Sequence, residues 1–232
     1  MQNSTTINEK MVGRTRINRF IAQTYLIMSF GLLITGVIAY LTSNNLNLLL
    51  RLNQNPWIAF GLFIVQILVV VALSAAALRL SPIISGLLFI LYSALTGLTL
   101  SSIFLIYSEE QISTVFWLTA GTFFVTSLIG MLFKRDLSRS GNVLMMLLIG
   151  WSLTWIFSWL FPFSGFNWLM NYLGIALFVG LTAHDAQRLK QLGSQLDSHP
   201  ARGGLAVIGA LTLYLNFINL FLLILRASSR RR

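Results

Sequence analysis

The sequence predicts an all-α, polytopic membrane protein: a bundle of seven transmembrane helices with the seventh helix central. Three observations predict it. Of the 232 residues, 56% are apolar and 9% are charged, where a soluble domain carries about 25% charge, and the mean hydropathy is +0.78. No soluble surface can be built from that composition. The apolar residues also gather into seven runs, each near the roughly 20 residues that a helix needs to cross about 30 Å of hydrocarbon. Finally, the last run carries Gly209, Thr212, Asn216 and Asn219 at spacings of three and four, a stripe on one helix face. Two amides and a hydroxyl are costly against lipid, so that face turns inward and makes the seventh helix central.

Residues 1–19 form a polar, basic N-terminal segment holding Lys10, Arg14, Arg16 and Arg19. The run after it, Phe20–Leu41, has the length of a full span, not of a signal-peptide core, and no small-residue cleavage site ends it. It is expected to be a retained first helix. Ser81-Pro82 separates Trp57–Leu78 from Ile83–Ile106, and Glu109-Glu110 separates the third run from Ile112–Phe133. The basic segment KRDLSRSGN (Lys134–Asn142) ends the fourth run, and Phe161-Pro162 ends the fifth, Val143–Phe161. The sixth, Trp168–Gln187, leads into the longest loop after the first span, Arg188–Gly204, and Leu205–Leu225 is the seventh. Residues 20–226 are thus one transmembrane domain, and residues 227–232 are a basic tail.

The net charge of +10 expresses topology, not nucleic-acid binding, because the basic residues cluster at the ends of apolar runs. With a cytoplasmic N-terminus, the inside collects Lys10, Arg14, Arg16, Arg19, Arg79, Lys134, Arg135, Arg139, Arg188, Lys190 and Arg202. The outside collects Arg51, Arg226 and Arg230 to Arg232, and the positive-inside rule favours this orientation. The C-terminal arginines oppose it, and a last run that dips into the membrane and returns would bring them inside. The absence of cysteine excludes disulfides, thiolate metal sites and cysteine nucleophiles.

In the third run Ser93, Gly97 and Ser101 recur every fourth residue, a seam of small residues. Such seams let helix backbones approach closely, either within one bundle or between copies.

Of six carboxylates, only Asp185 lies in or against an apolar run, in GIALFVGLTAHDAQRLK. A charge at the centre of a span costs about 2.5–3.5 kcal/mol on insertion scales, so ionisable groups kept there line a cavity, pair with something or move protons. Arg188, three positions on, offers an interfacial partner. Thr182 shares a face with Asp185, and Arg79 at the end of the second run lies at a similar depth, as a counter-ion or as a snorkelling topology marker. Counted from the nearest loop, Asp185 and Asn216 are offset by roughly 10 Å along their helices, so spacing alone does not pair them.

YSALTGLTLSSIF (Tyr92–Phe104), KRDLSRSGN, FVGLTAHDAQRLK (Phe178–Lys190) and GALTLYLNFINLFLLILR (Gly209–Arg226) resemble the Bax inhibitor-1 family, and most closely its bacterial inner-membrane members. The resemblance implies seven helices with the last surrounded by the other six, and a pH-sensitive calcium leak. It also implies two aspartates, on the sixth and seventh helices, acting as pH sensor and gate, with an arginine near the end of the second helix engaging them. Asp185 matches the first aspartate and Arg79 the place of the arginine. The second aspartate falls on Asn216, within LYLNFINLF, where the family pattern has Asp. An Asp–Asn pair has one titrating group, and Asn brings no charge to attract a divalent cation. Calcium takes several oxygen ligands, often carboxylates, so Asp185 with amide and hydroxyl oxygens makes a weak calcium site. No cofactor and no metal site are otherwise expected.

Two functions follow. One is a cation leak with Asp185 and Asn216 on the ion pathway, Arg79 as counter-ion, and Thr212 and Asn219 on the same polar stripe. The other is a regulatory protein that binds other membrane proteins, such as a membrane protease or a stress- or death-pathway component. The expected partners are the lipid bilayer, calcium or protons, and other membrane proteins, with no nucleic acid. An enzyme is not supported: His184 and His199 are the only histidines, and neither sits with a nucleophile motif. A retinal protein needs a lysine in its last span, and Leu205–Leu225 has none.

Overall fold

The structure is a computed structural model that describes residues 2–75, 81–133, 137–160, 167–195 and 202–229. Among these residues the chain forms eight α-helices: α1 (Gln2–Ser43), α2 (Leu46–Gln54), α3 (Pro56–Ala75), α4 (Pro82–Leu100), α5 (Glu109–Leu132), α6 (Ser138–Leu160), α7 (Asn167–Gln195) and α8 (Arg202–Ser229). Among the described residues five helical stretches are long and apolar enough to cross a membrane: Thr15–Ser43, Pro56–Ala75, Pro82–Leu105, Glu109–Leu132 and Gly203–Ser229. The protein is an all-α, polytopic membrane protein. In α6 the apolar stretch is shorter, Ser140–Trp155. In α7 the 29 residues include Asn171, His184, Asp185 and Gln187, which dilute its apolar character.

The helix ends follow local chemistry. Ser81 caps α4, accepting from Ile84 N at 3.4 Å with Pro82 in the first turn, where a missing N–H costs nothing. Asn45 caps α2, accepting from Leu48 N at 3.2 Å. Helix α2 is an addition to the seven expected runs. It is amphipathic, with Leu49 buried and Arg51 exposed, and at nine residues it is too short to register as an apolar run. The third run ends not as an α-helix but as a 3₁₀ segment, Ser101–Leu105. At the N-terminus, α1 reaches back through the basic segment to Gln2. The second run's predicted end, including Arg79, lies outside the described residues.

The chain divides into two units: Met1–Ser108 with Gly193–Tyr214, and Glu109–Leu192 with Leu215–Arg232. In the first, the small-residue seam of α4 meets α1 of the same chain. A Cβ at Gly97 would come within 2.8 Å of the Thr35 carbonyl oxygen, and one at Gly31 within 2.5 Å of the Phe89 ring. That closeness lets the Thr35 hydroxyl cross to the Ser93 carbonyl at 2.9 Å. The proton of Thr35 is thereby used, so the Tyr214 hydroxyl, 2.6 Å away, is the donor to Thr35 Oγ1. The fully buried Tyr214 ring meets Phe89 and Tyr92 edge to face, with centroids 5.6 and 5.9 Å away, an arrangement that aromatic quadrupoles favour.

In the second unit, Leu177, Phe178 and Leu181 of α7 pack with Leu220 and Leu223 of α8, and Leu144, Leu148 and Trp151 of α6 close over them. Phe217 of α8 packs edge to face on Phe116 and Phe123 of α5. Gly130 of α5 lies so close to the backbone of Ala183 in α7 that no side chain fits there.

Candidate functional site at Asp185

Asp185 sits in the second unit with its side chain 12% exposed. Asn216 Nδ2 donates to its Oδ2 at 2.7 Å, and His184 Nδ1 lies 3.0 Å from its Oδ1. Both carboxylate oxygens are therefore engaged. Among the described residues Asp185 has no bond to Arg188, which is exposed, so the interfacial pairing expected three positions on is not what holds it.

The predicted depth offset between Asp185 and Asn216 does not exist, and the reason lies in α7. The helix does not stop at the end of its apolar run but continues to Gln195, about ten residues past Asp185. Counting from the apolar boundary placed Asp185 too near the helix end.

The other predicted residues divide. Thr182 donates to Phe178 O at 2.7 Å, Thr212 to Ile208 O at 3.1 Å and Asn219 Nδ2 to Leu215 O at 2.8 Å, each within its own helix. Of the polar stripe Thr212, Asn216 and Asn219, it is Asn216 that reaches Asp185. Arg79, the expected counter-ion, lies outside the described residues.

Two neighbours went unrecognised in the sequence. His184 precedes Asp185, and adjacent helical residues point about 100° apart, so adjacency gave no reason to pair them. The short Asp185 side chain and the reach of the imidazole bring them together. The ring has room because α6 places a glycine there: a Cβ on Gly141 would lie 2.6 Å from His184 Nε2. Gln187, buried, spans the α5–α6 connection, donating to Phe133 O at 3.1 Å and accepting from Leu137 N at 2.7 Å. Lys190 donates to Met131 O at 2.8 Å. This end of α7 therefore carries the carboxylate and also bonds to the end of α5 at Met131 and Phe133 and to Leu137 just before α6.

Among the described residues no group of three His, Asp or Glu side chains is placed to hold a metal ion. Each carboxylate oxygen of Asp185 holds one hydrogen-bond partner, and a calcium ion there would need most of its six to eight oxygens from carbonyls and water.

Residues 17–232 match the family described as Inhibitor of apoptosis-promoting Bax1. The chain belongs to the Bax inhibitor-1 family. It is 43% identical over 221 residues to inner membrane protein YbhL of Escherichia coli K12, covering 94% of each chain. It is 40% identical over 216 residues to an uncharacterised protein of Borreliella burgdorferi, covering 93% of each. An uncharacterised protein of Deinococcus radiodurans is 35% identical over 231 residues, covering 100% of this chain and 98% of its own. The sequence resemblance to the Bax inhibitor-1 family is thus established along nearly the whole chain, the segment around Asp185 and Asn216 included.

Proposed function

We propose that this Bax inhibitor-1 family protein is a pH-sensitive cation leak of the bacterial inner membrane, with Asp185 on the cation route. The observation that carries the reading is a largely buried carboxylate bonded at 2.7 Å to an amide on α8. In the most apolar stretch of α8, 61% of the residues are buried, against 11–33% in the other four candidate spans. A charge kept on such a helix contact has a cost in hydrocarbon that lipid anchoring does not require. The topology that accompanies this reading is seven spans with α8 central and the N-terminus in the cytoplasm, favoured by the distribution of basic residues. Inner-membrane residence follows the printed description of the Escherichia coli relative.

A second reading has an observation of its own. Both oxygens of Asp185 are already bonded, and position 216 contributes no charge. A protein so arranged acts as a regulator that binds other membrane proteins without conducting ions. Purified protein in calcium-loaded liposomes separates the two. Calcium release that Asp185→Asn reduces supports the leak; no release at any pH leaves the regulator.

A further inference from the structure

Helix α2 joins two candidate spans. The stretch Thr15–Ser43 ends just before it and Pro56–Ala75 begins just after it, so residues 44–55 turn the chain back at the membrane surface. They are not a loose loop. Asn45 Oδ1 accepts from Leu48 N at 3.2 Å, Asn55 Oδ1 accepts from Trp57 N at 3.0 Å, and Asn53 Nδ2 donates to Leu49 O at 2.8 Å. The helix packs against α1, α3 and the 3₁₀ segment that ends α4, and Leu49 is buried there.

Successive helical residues turn by about 100°. On that wheel Leu48, Leu52, Leu49, Leu46 and Leu50 fill one arc, while Asn47, Arg51 and Gln54 gather opposite. Asn53 falls among the leucines, where its amide is used by the Leu49 carbonyl. The protein covers only the middle of the leucine arc: on its two flanks Leu46 is 61% exposed and Leu48 39%. Tyr40 and Leu41 at the end of α1, and Trp57 and Phe60 at the start of α3, are exposed as well. Those residues belong to spans, whose exposed faces lie against lipid. The flanking leucines continue that lipid-facing surface, and Tyr40 and Trp57 are the residue types that settle at headgroup level.

Arg51 is exposed on the polar side, next to Leu48 on the wheel. The carboxylates of its unit are Glu9, near the opposite end of α1, and Asp197, in the connection before α8. Among the described side chains of the unit there is none. At the boundary between a leucine face and water, the anion that a bilayer offers a guanidinium is the lipid phosphate, which it binds through paired N–H donors.

We propose that α2 is an interfacial helix docked on the bilayer, with Leu46 and Leu48 in the acyl boundary and Arg51 on the phosphate of an anionic phospholipid. The apolar arc sets the depth of the helix, and the long arginine stem carries its charge to headgroup level. The assignment needs only that α1 and α3 span the membrane; it is independent of the leak reading.

The chain has no cysteine, so Leu46→Cys and Asn47→Cys each give the full-length protein one bimane label, on adjacent residues that face opposite ways. In lipid nanodiscs, the label at position 46 should be quenched by lipids with brominated chains and spared by iodide. The label at position 47 should show the reverse. Iodide quenching at position 46 would put the leucine face in water and overturn the proposal. Quenching there by neither reagent would mean that protein, such as a second copy of the chain, covers the face, and would overturn it equally. Leu48→Cys, on the other flank, serves if Leu46→Cys does not fold. Arg51 is read with the same label at position 46, comparing brominated phosphatidylglycerol with brominated phosphatidylethanolamine. The anionic lipid should quench several-fold more per molecule, Arg51→Gln should bring the ratio near unity, and Arg51→Lys should keep most of it. A ratio equal in the parent and the Gln variant would confine Arg51 to the helix end and remove the lipid phosphate as its partner.

Discussion

Asn216 Nδ2 donates to Asp185 Oδ2 at 2.7 Å, a charge-assisted bond between α8 and α7 inside one unit of the chain. Its length lies at the short end for a nitrogen donor on an ionised carboxylate. The bond explains why a helix otherwise rich in leucine keeps an amide at position 216. It does not require a second carboxylate, and it leaves Asp185 as the one acidic side chain of the contact, with His184 Nδ1 3.0 Å from its other oxygen.

Replacing Asp185 by Asn preserves shape and most hydrogen bonding while removing the charge. Cation flux in liposomes should fall several-fold, and the protein should still elute as a folded species in detergent. Removing a largely buried charge can also be neutral or stabilising, so a loss of folded protein is not expected. Equal flux in parent and variant would reduce Asp185 to a structural residue.

Asn216→Asp places two carboxyls at hydrogen-bond distance. Like charges that close cannot both ionise cheaply, so the pair retains a proton and titrates as a unit. Calcium flux should depend more steeply on pH between mildly acidic and neutral conditions than in the parent. Superimposable flux–pH curves for the two proteins would show that positions 185 and 216 are not a coupled gate.

Tyr214→Phe keeps the ring that packs on Phe89 and Tyr92 and deletes only the hydroxyl that donates to Thr35. Thr35 keeps its bond to the Ser93 carbonyl. The loss should be about 0.5–1.5 kcal/mol, the usual net worth of one such bond, read as a lowered thermal midpoint in detergent. An unchanged midpoint would mean that the hydroxyl contact carries no stability.

Gly97→Ala and Gly61→Ala differ only in what the new methyl meets. At Gly97 it meets the Thr35 carbonyl at 2.8 Å and Ile38 Cβ at 2.9 Å; at Gly61 it meets nothing within 4 Å. Backbone cannot step aside as a flexible side-chain tip can, so the first change should cost about 1–3 kcal/mol. The second should be neutral or slightly stabilising, since alanine exceeds glycine in helix propensity by up to about 1 kcal/mol. Thermal midpoints of the two variants provide the comparison, and equal midpoints would contradict the close α1–α4 contact.

Reporter fusions test the topology. A reporter after Ser140 should be cytoplasmic and one after Glu110 external, because basic connections stay inside. The opposite pattern inverts the orientation. A cytoplasmic reporter at the C-terminus alone would make the last run re-entrant.

Hydropathy made the helical membrane class legible because hydrocarbon leaves a spanning chain few ways to satisfy its backbone, and long apolar runs announce the helical one. Ser81-Pro82 and Glu109-Glu110 marked real boundaries for the same local reason: caps and breakers act within one turn. Asp185 and Asn216 were visible as costly residues in apolar surroundings. Helix α2 was not visible as an element, since nine residues with one buried leucine give a weak periodic signal. The contact between Asp185 and Asn216 was hidden too, because the register of two helices depends on where α7 ends, at Gln195, and polar residues can extend a helix well past its apolar run.

Composition and pattern alone thus settled the class, the helical runs and the residues whose presence in lipid calls for an explanation, because transfer free energy is a property of each side chain. Which of those residues meet was decided by packing. Gly130 against Ala183 and Gly141 against His184 bring α5 and α6 onto α7 at closest approach, and the core of Leu177, Leu181, Leu220 and Leu223 joins α7 to α8. A hydrogen bond forms only within about 3 Å, a tolerance finer than any periodicity in a sequence can specify, so the trio of His184, Asp185 and Asn216 exists only once the helices are packed.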